Sequence, residues 1–332
     1  MKKLCVYIIL ILGICFLIPL ICVYKFDNKE TLSSSIEENV NNKEVNEYDY
    51  KEYNTIKLLH SSTGEIQEIK LDEYLYGVVS SEMPANFEIE ALKAQAIVAR
   101  TYTMYKIINV SKHENANICD DSKCCQAWIS KQDRLNKWDE EERESNWNKI
   151  VQAIEETKGK IVTYDNKPIN AFFHANSGGI TEEPINVWGG SGYPYLQAVA
   201  TSGEENYSQY SSEVILTKNE LENKIKEKYS DFEIDWNEEK SIQVLEYTDG
   251  NRVKTIKIGN KNLAGVEVRT IIGLKSANFE VNIENENVKF AVKGYGHGVG
   301  MSQTGANSMA KEGKNYEEII KHFYVGVEIK DM

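Results

Sequence analysis

VVSSEMPANFEIEALKAQAIVARTY, residues 78–102, predicts the main helix of the fold. After Pro84, apolar side chains recur at helical spacing at Ile89, Leu92, Ala96 and Ala99. This period is typical of an amphipathic helix that buries one face and leaves its charged residues on the others. The stretch therefore predicts a long amphipathic helix that follows a corner marked by proline.

Glu82 stands alone ahead of Pro84, between this helix and a shorter one predicted for DEYLYGVVSS, residues 72–81. We expect Asp72 to cap the shorter helix, Asn86 to cap the long one, and Glu88 to lie in its first turn. Helical backbone conformation is disfavoured just before a proline, so we expect Glu82 to lie outside both helices, where it can point into a cleft. The alternative is a solvated acid at a helix junction, because most glutamates are exposed.

Residues 54–332 are predicted to form one mixed α+β domain with the long helix, β-hairpins and a substrate groove built from loops. Hairpins are expected over residues 54–71, 159–176 and 241–259, the last two turning at Asp165-Asn166 and Asp249-Gly250. Residues 111–136 are expected to be a loop. Helices are expected over 139–157 and 217–230, and a strand over 288–296 is followed by a turn and a helix.

The N-terminal segment predicts a membrane anchor. Residues 4–24 are 21 positions without a charged side chain, close to the ~20 that cross a bilayer as a helix. Lys2 and Lys3 place residues 1–3 in the cytoplasm and the domain outside the cell membrane. A cleaved signal peptide is the alternative. Residues 25–53 are polar and are expected to be a flexible linker.

The net charge of -13 argues against nucleic acid or anionic lipid as the main ligand, since both attract clustered lysine and arginine. The apolar fraction of 41% is enough for a substantial core.

Three cysteines follow the anchor, and they lie close to a histidine in HENANICDDSKCC, residues 113–125. His113, Cys119, Cys124 and Cys125 offer the ligands that tetrahedral zinc prefers. Because adjacent ligating cysteines are geometrically awkward, one of Cys124 and Cys125 could be a spectator. The alternative is a disulfide from Cys119 to one of them, which leaves one thiol free.

Three further motifs suggest a binding surface. GYGHGVGMSQTGA, residues 294–306, holds His297 among glycines that let a ligand approach the backbone closely. His174 lies in FFHANSGG, residues 172–179, and Trp188 and Tyr195 lie in VWGGSGYPYL, residues 187–196. Aromatic faces of this kind stack on sugar rings, although each aromatic could equally be a core residue.

Together with SSEMPANFEIEALKAQAIVARTY, residues 80–102, these motifs resemble the stage II sporulation protein D family, in order and over nearly the whole domain. The resemblance implies an anchored lytic transglycosylase of forespore engulfment, located in the septal and engulfing membrane. Its substrate would be the MurNAc–GlcNAc linkage of glycan strands without stem peptides, and its product a 1,6-anhydro end. Its partners would include stage II sporulation proteins P and M.

The resemblance also implies roles for particular residues. Glu82 corresponds to the catalytic acid. The substrate-binding positions would be Lys93, Arg100, His174, Ser177, Trp188, Tyr195, His297 and Gln303. Zinc, with a structural role, would be held by His113, Cys119, Cys124 and Cys125, of which Cys124 is the least certain match.

The reaction implied by the resemblance agrees with the isolated position of Glu82 in the sequence. A hydrolytic glycosidase uses two carboxylates, whereas a lytic transglycosylase needs one, which we expect to have a raised pKa through burial. We expect Lys93 and Arg100 to contact substrate or backbone, since cations next to Glu82 would lower its pKa. The alternatives are a glycan-binding protein that enhances a partner amidase, and a hydrolytic muramidase.

Overall fold

The computed structural model describes residues 48–50, 52–109 and 111–332. The predicted anchor, residues 4–24, and nearly all of the predicted linker lie outside these residues. Within the described part of the chain, no helix is both long and apolar enough to cross a membrane.

The described residues form a mixed α+β fold with nine α-helices and five small sheets. The helices are α1 (Leu71–Glu82), α2 (Ile89–Ile108), α3 (Lys131–Lys137), α4 (Arg143–Glu155), α5 (Pro184–Trp188), α6 (Lys218–Lys226), α7 (Gly265–Ile272), α8 (Gln303–Lys311) and α9 (Tyr316–Phe323). The strands are β1 (Thr55–Leu59), β2 (Ile66–Lys70), β3 (Ile118–Cys119), β4 (Lys160–Tyr164), β5 (Lys167–Pro168), β6 (Phe173–His174), β7 (Ser211–Thr217), β8 (Ile242–Tyr247), β9 (Val253–Ile258), β10 (Lys261–Ala264), β11 (Phe279–Glu284), β12 (Asn287–Lys293), β13 (Met301–Ser302) and β14 (Glu328–Asp331).

Helix α2 is the centre of the larger hydrophobic core. It contacts α1, α4, α8, α9 and β4, so that 13 of its 20 residues are buried. The expected amphipathic pattern is therefore wrong, because neighbours cover the helix on nearly every side. Some of its buried polar residues bond within the helix, as when the hydroxyl of Thr101 donates to the carbonyl of Ile97 at 2.7 Å, whereas Arg100 donates to the carbonyl of Thr157 in another segment.

The helix ends differ from the sequence predictions. Helix α1 extends to Glu82, so this residue is the last of the helix and does not lie outside it, and Met83 takes the extended C-cap conformation. Asp72 lies in the first turn of α1 and accepts a hydrogen bond from the hydroxyl of Tyr50, within the expected linker. The N-cap of α2 is Glu88, in place of Asn86, and no side chain caps it.

The three predicted hairpins differ in how far the structure supports them. β1 and β2 pair antiparallel, as do β8 and β9, which confirms those two. β4 pairs with β5 around Asp165 and Asn166, whose positive φ angles suit the tight turn, but the predicted second strand stops at Pro168. The segment beyond it becomes β6, which pairs in parallel with β13 and so brings the histidine motif beside Gln303.

A second hydrophobic core lies between residues 211 and 293, where α6 and α7 pack with two three-stranded sheets of order β11-β12-β7 and β10-β9-β8. The predicted loop over 111–136 contains β3 and the start of α3, and α7 and β11 were not predicted. The turn between β8 and β9 carries Arg252 toward the first core, where its guanidinium donates to the carbonyl of Ser177 at 3.0 Å. The second core therefore contributes a side chain to the motif region.

Candidate functional site

Glu82 ends helix α1 with a partly buried carboxylate. Its Oε1 accepts a hydrogen bond from the backbone N–H of Ala127 at 2.7 Å. Burial raises the pKa of Glu82, while the hydrogen bonds from Ala127 and from the side chain of Gln303 oppose that rise without cancelling it. No neighbouring charge of the described residues is among the causes of the shift, so the rise in the pKa of Glu82 comes from burial alone.

Gln303 connects Glu82 to the interior. It is the first residue of α8, after Ser302 caps that helix by accepting from the N–H of Gly305. The Nε2 of Gln303 also donates to the Oε1 of Gln95, 3.5 Å away and fully buried in α2. Gln303 is thus held between the central helix and the candidate acid.

Two histidines and a tryptophan form a ring cluster beside Gln303. His174 is paired in register with Ser302, so it lies on the strand next to Gln303. The ring centroid of His297 is 5.7 Å from that of His174 and 5.0 Å from that of Trp188, whose surface is 52% exposed. Trp188 therefore offers an open aromatic face at the edge of a partly buried group.

Hydrogen bonds to Val299 assign the tautomers of both imidazoles. Nδ1 of His174 donates to the carbonyl of Val299 at 3.1 Å, and Nδ1 of His297 accepts from its N–H at 3.0 Å. Burial lowers the pKa of His174 to about 4 and that of His297 well below its usual value. Both rings are neutral near pH 7. The Nε2 of His174 is a buried acceptor without a partner among the described residues.

The glycine-rich motif is shaped by Arg252. Gly298 has φ of +84°, and a Cβ there would lie 2.0 Å from a terminal nitrogen of Arg252. Glycine is therefore required both by the backbone conformation and by the guanidinium beneath it. This packing fixes the loop that carries His297.

Glu204 is a fully buried carboxylate that ties the two motifs together. It accepts from the N–H and hydroxyl of Ser177, the hydroxyl of Ser302, and the hydroxyl of Thr304 at 3.0 Å. Burial opposes its ionisation, but the hydrogen bonds from Ser177, Ser302 and Thr201 outweigh it and lower the pKa of Glu204 to about 2. Glu204 was not among the predicted residues, and its sequence context, SGEEN, contains nothing that marks it as buried.

Several predicted substrate-binding residues make structural contacts within the fold. Arg100 is fully buried and donates to the carbonyl of Thr157 at 2.8 Å, which leaves it no exposed surface for a substrate. Tyr195 is buried, and its hydroxyl accepts from the N–H of Asn170 at 3.0 Å. Ser177 is fully buried against Glu204. These three residues therefore support the site from the interior of the fold.

Lys93 is largely covered and forms ion pairs with Glu90 at 2.8 Å and Glu156 at 2.7 Å. Neither Lys93 nor Arg100 is a cause of the pKa shift of Glu82. Arg100 contacts the backbone as expected, whereas Lys93 pairs with two carboxylates in place of the expected substrate or backbone.

The histidine and three cysteines converge on one point. One ligand atom from each of His113, Cys119, Cys124 and Cys125 lies within 4.8 Å of the other three. Nε2 of His113 is 3.5 Å from Sγ of Cys125 and 3.6 Å from Sγ of Cys124. Tetrahedral zinc with bonds of about 2.3 Å to sulfur sets its ligands roughly 3.7 Å apart, so the donor set and its spacing fit a metal ion. All three cysteines are free thiols, and both adjacent ones belong to the cluster.

The cysteine loop also holds Glu82. Directly after Cys125, the Nε2 of Gln126 donates to the hydroxyls of Tyr74 and Thr103, each at 3.1 Å, and the N–H of Ala127 donates to Glu82. Trp128 lies on α1 at Gly77, where a Cβ would be 2.2 Å from the indole nitrogen. The metal-ligand cluster and the candidate acid are therefore adjacent parts of one structure.

The Glu204→Gln variant tests the buried carboxylate. We expect it to lower the free energy of unfolding by about 2–3 kcal/mol at pH 7, because a buried amide cannot accept from all these donors. The folded pKa of Glu204 is below the value of 4.5 for a free glutamate, so its stabilisation is present above pH 4.5 and is lost as the pH falls toward 2.

Urea unfolding from pH 7 to pH 3 measures both effects for wild type and for the matched exposed variant Glu205→Gln. A Glu204→Gln protein as stable as the wild type at pH 7 would contradict the assigned role.

The fold and site define an α+β protein in which one partly buried glutamate lies between a histidine/cysteine cluster and a set of histidine and aromatic rings. A family model described as stage II sporulation protein matches residues 60–164. Stage II sporulation protein D of Bacillus amyloliquefaciens is 36% identical, over 83% of this chain and 79% of the relative. The protein of that name from Bacillus subtilis (strain 168) is 33% identical, over 100% of this chain and 96% of the relative.

The chain belongs to the stage II sporulation protein D family. The amidase enhancer of Bacillus subtilis (strain 168) is also similar, being 30% identical over 76% of this chain and 39% of the relative.

Proposed function

We propose that this protein is a peptidoglycan lytic transglycosylase that cleaves the MurNAc–GlcNAc linkage of denuded glycan strands, with Glu82 as the catalytic acid and base. The observation that carries the proposal is a carboxyl group whose pKa is raised by burial and which has no charged partner among the causes of that shift. A carboxyl group whose pKa is raised by burial holds its proton to higher pH than a free glutamate, which suits a general acid.

One carboxyl group is sufficient for this reaction. Glu82 gives its proton to the glycosidic oxygen as the bond to the MurNAc anomeric carbon breaks. The resulting carboxylate then takes the proton of the same sugar's C6 hydroxyl, whose oxygen bonds to the anomeric carbon and closes the 1,6-anhydro ring. The N–H of Ala127 and the amide of Gln303 hold the carboxyl group in place and stabilise the transient carboxylate.

The ring cluster supplies the substrate surface in this proposal. Trp188 can stack on a sugar face, because its ring is exposed and is fixed from behind by Phe172, with ring centroids 4.7 Å apart. In the assigned tautomers the Nε2 of His297 carries a proton and can donate to a hydroxyl or acetamido oxygen, whereas the buried, unpartnered Nε2 of His174 can only accept.

Zinc is the metal we propose for the histidine/cysteine cluster. His113, Cys119, Cys124 and Cys125 would hold it as a closed set of four ligands, which gives a structural role and leaves no position for water. The bound ion would fix the loop that ends in the N–H of Ala127.

The cellular setting is proposed from the family name and the N-terminal sequence. We place the chain in the sporulating cell, anchored through residues 4–24 with the catalytic domain outside the membrane, and acting in engulfment beside stage II sporulation proteins P and M.

A second candidate function is a glycan-holding protein that stimulates a partner amidase. The similarity to a protein named amidase enhancer supports it. In this function Glu82 would not need its proton, and the ring cluster would serve only for binding.

Product analysis separates these functions. The full-length chain is incubated with denuded glycan strands and the products are weighed by mass spectrometry. Anhydro ends support the proposed lyase, whereas ends heavier by one water would indicate a muramidase. No new ends, together with faster stem-peptide release by a partner amidase acting on peptidoglycan that retains its peptides, would indicate an enhancer. Because the acid must be protonated, we expect the rate to fall as the pH rises through the elevated pKa of Glu82.

A further inference from the structure

A turn from the second core lies against the loop that carries His297. It runs from Arg269 in α7 to Lys275, and the carbonyl of Lys275 accepts from the N–H of Gly296 at 2.9 Å. The Nζ of Lys275 is 5.2 Å from the ring centroid of Tyr295, which is 44% exposed. Two cationic side chains therefore border the glycine-rich motif from outside the first core.

Arg269 is close enough to the ring cluster to affect it electrostatically. After burial, the charges of Arg269 and Arg252 are among the causes that lower the pKa of both His174 and His297. Arg269 is itself half-buried, and its Nε donates to the carbonyl of Leu274 at 3.4 Å. Through Leu274, the residue before Lys275, its guanidinium belongs to the same turn that bonds the N–H of Gly296, next to His297.

Neither cation of this turn has a carboxylate partner among the described residues. Burial lowers the pKa of Arg269, and Tyr295 is the one group opposing that shift. By contrast, seven lysines between residues 211 and 293, the segment of the second core, form ion pairs with carboxylates: Lys218, Lys226, Lys228, Lys254, Lys257, Lys261 and Lys289. In a chain with 51 acidic and 38 basic residues, a half-buried guanidinium without a carboxylate among the described residues is suited to bind an external anion.

We propose that Arg269 and Lys275 bind the lactyl carboxylate of a muramic acid residue, with the exposed ring of Tyr295 beside the sugar. That carboxyl group is a free anion in a denuded strand and a neutral amide where a stem peptide is attached. The pair therefore selects strands from which the peptide has been removed. This inference rests on the proposed function, since it assumes that a glycan occupies the neighbouring ring cluster.

The test is calorimetric binding to the full-length chain carrying Glu82→Gln, so that cleavage does not interfere. Three oligosaccharides of equal length are compared: a denuded GlcNAc–MurNAc strand, the same strand with its lactyl carboxyls reduced to alcohols, and a GlcNAc oligomer. We expect Arg269→Gln to weaken the first about tenfold, the loss of one charge-assisted contact, and to change the other two less than about twofold.

Lys275→Gln, at an exposed position that cannot disturb the core, should weaken the same ligand in the same direction, and Arg269→Lys should restore part of the loss. The matched control is Lys257→Gln, which removes a partly exposed lysine that is paired with Glu238 at 2.9 Å.

Equal losses for the free and reduced strands, or no loss for either, would overturn the inference. It would also fall if the starting protein bound the reduced strand as tightly as the free one. Failure of the proposed reaction would appear separately, as an absence of anhydro products from wild-type protein whose carboxylate-dependent binding is intact.

Discussion

We expect the Glu82→Gln variant to lose about three orders of magnitude of glycan cleavage rate, since general acid and base catalysis by one side chain contributes about 10²–10⁴-fold. Glutamine has nearly the same shape, and its amide oxygen can still accept from the N–H of Ala127, so the fold should be retained. The loss would come from the missing proton. Initial rates of release of 1,6-anhydro ends from denuded strands measure it.

The matched control is Glu73→Gln, an exposed acid in the first turn of the same helix, which should keep the wild-type rate. Thermal unfolding of both variants checks that they are folded. Undiminished release of anhydro ends by Glu82→Gln would end the proposal that this residue is the acid.

Removal of the proposed zinc ion should have the second largest effect. We expect a strong chelator, or Cys119→Ser, to lower the free energy of unfolding by about 4 kcal/mol, the stabilisation given by a ligand present at 1,000 times its Kd. Cleavage should fall by about 10²-fold, because the loop that ends at Ala127 would no longer hold Glu82 to within about 1 Å. The cleavage rate should depend on the metal because Ala127, which bonds Glu82, lies only two residues after Cys125, a candidate metal ligand.

Metal analysis of the purified chain, followed by unfolding and rate measurements with and without added zinc, tests this prediction. Lys123→Ala, an exposed change in the same loop, should leave metal content and rate unchanged. Protein without metal, with two of the three cysteines joined in a disulfide, would contradict it.

The local pattern was enough to predict most elements of the first core. The helical period after Pro84, the turn at Asp165-Asn166 and the apolar strands flanking it depend on neighbours in the sequence, and the structure has a helix and a hairpin turn there. The helix boundaries were less accurate, because Glu82 continues α1 where the proline rule predicted a break. The second core was predicted only in part: the helix over 217–230, the β8–β9 hairpin and the strand at β12 were expected, but the pairing of β7 with β12 joins strands far apart in the chain and was not.

The candidate site, like the fold, was predictable from the sequence only in part. Residue types and spacing marked the isolated acid, the four candidate metal ligands and the histidine motifs, since each is a chemical pattern visible in a short stretch, while the catalytic role expected for Glu82 came from the family resemblance. The roles of Arg100, Tyr195 and Ser177 depended on burial, and the sequence does not state which side of a helix or loop is covered.

Sequence by itself determined the chemistry available to this protein: one isolated glutamate, a set of soft metal ligands, and glycine-rich loops with histidine and aromatic rings. Only the tertiary structure decided how these groups act together. It placed the N–H of Ala127 and the side chain of Gln303 on Glu82, Glu204 under both motifs, and the turn of Arg269 and Lys275 against the loop that carries His297. The physical reason is that burial and hydrogen bonding set a pKa and a side-chain position, and both arise from residues distant in the chain.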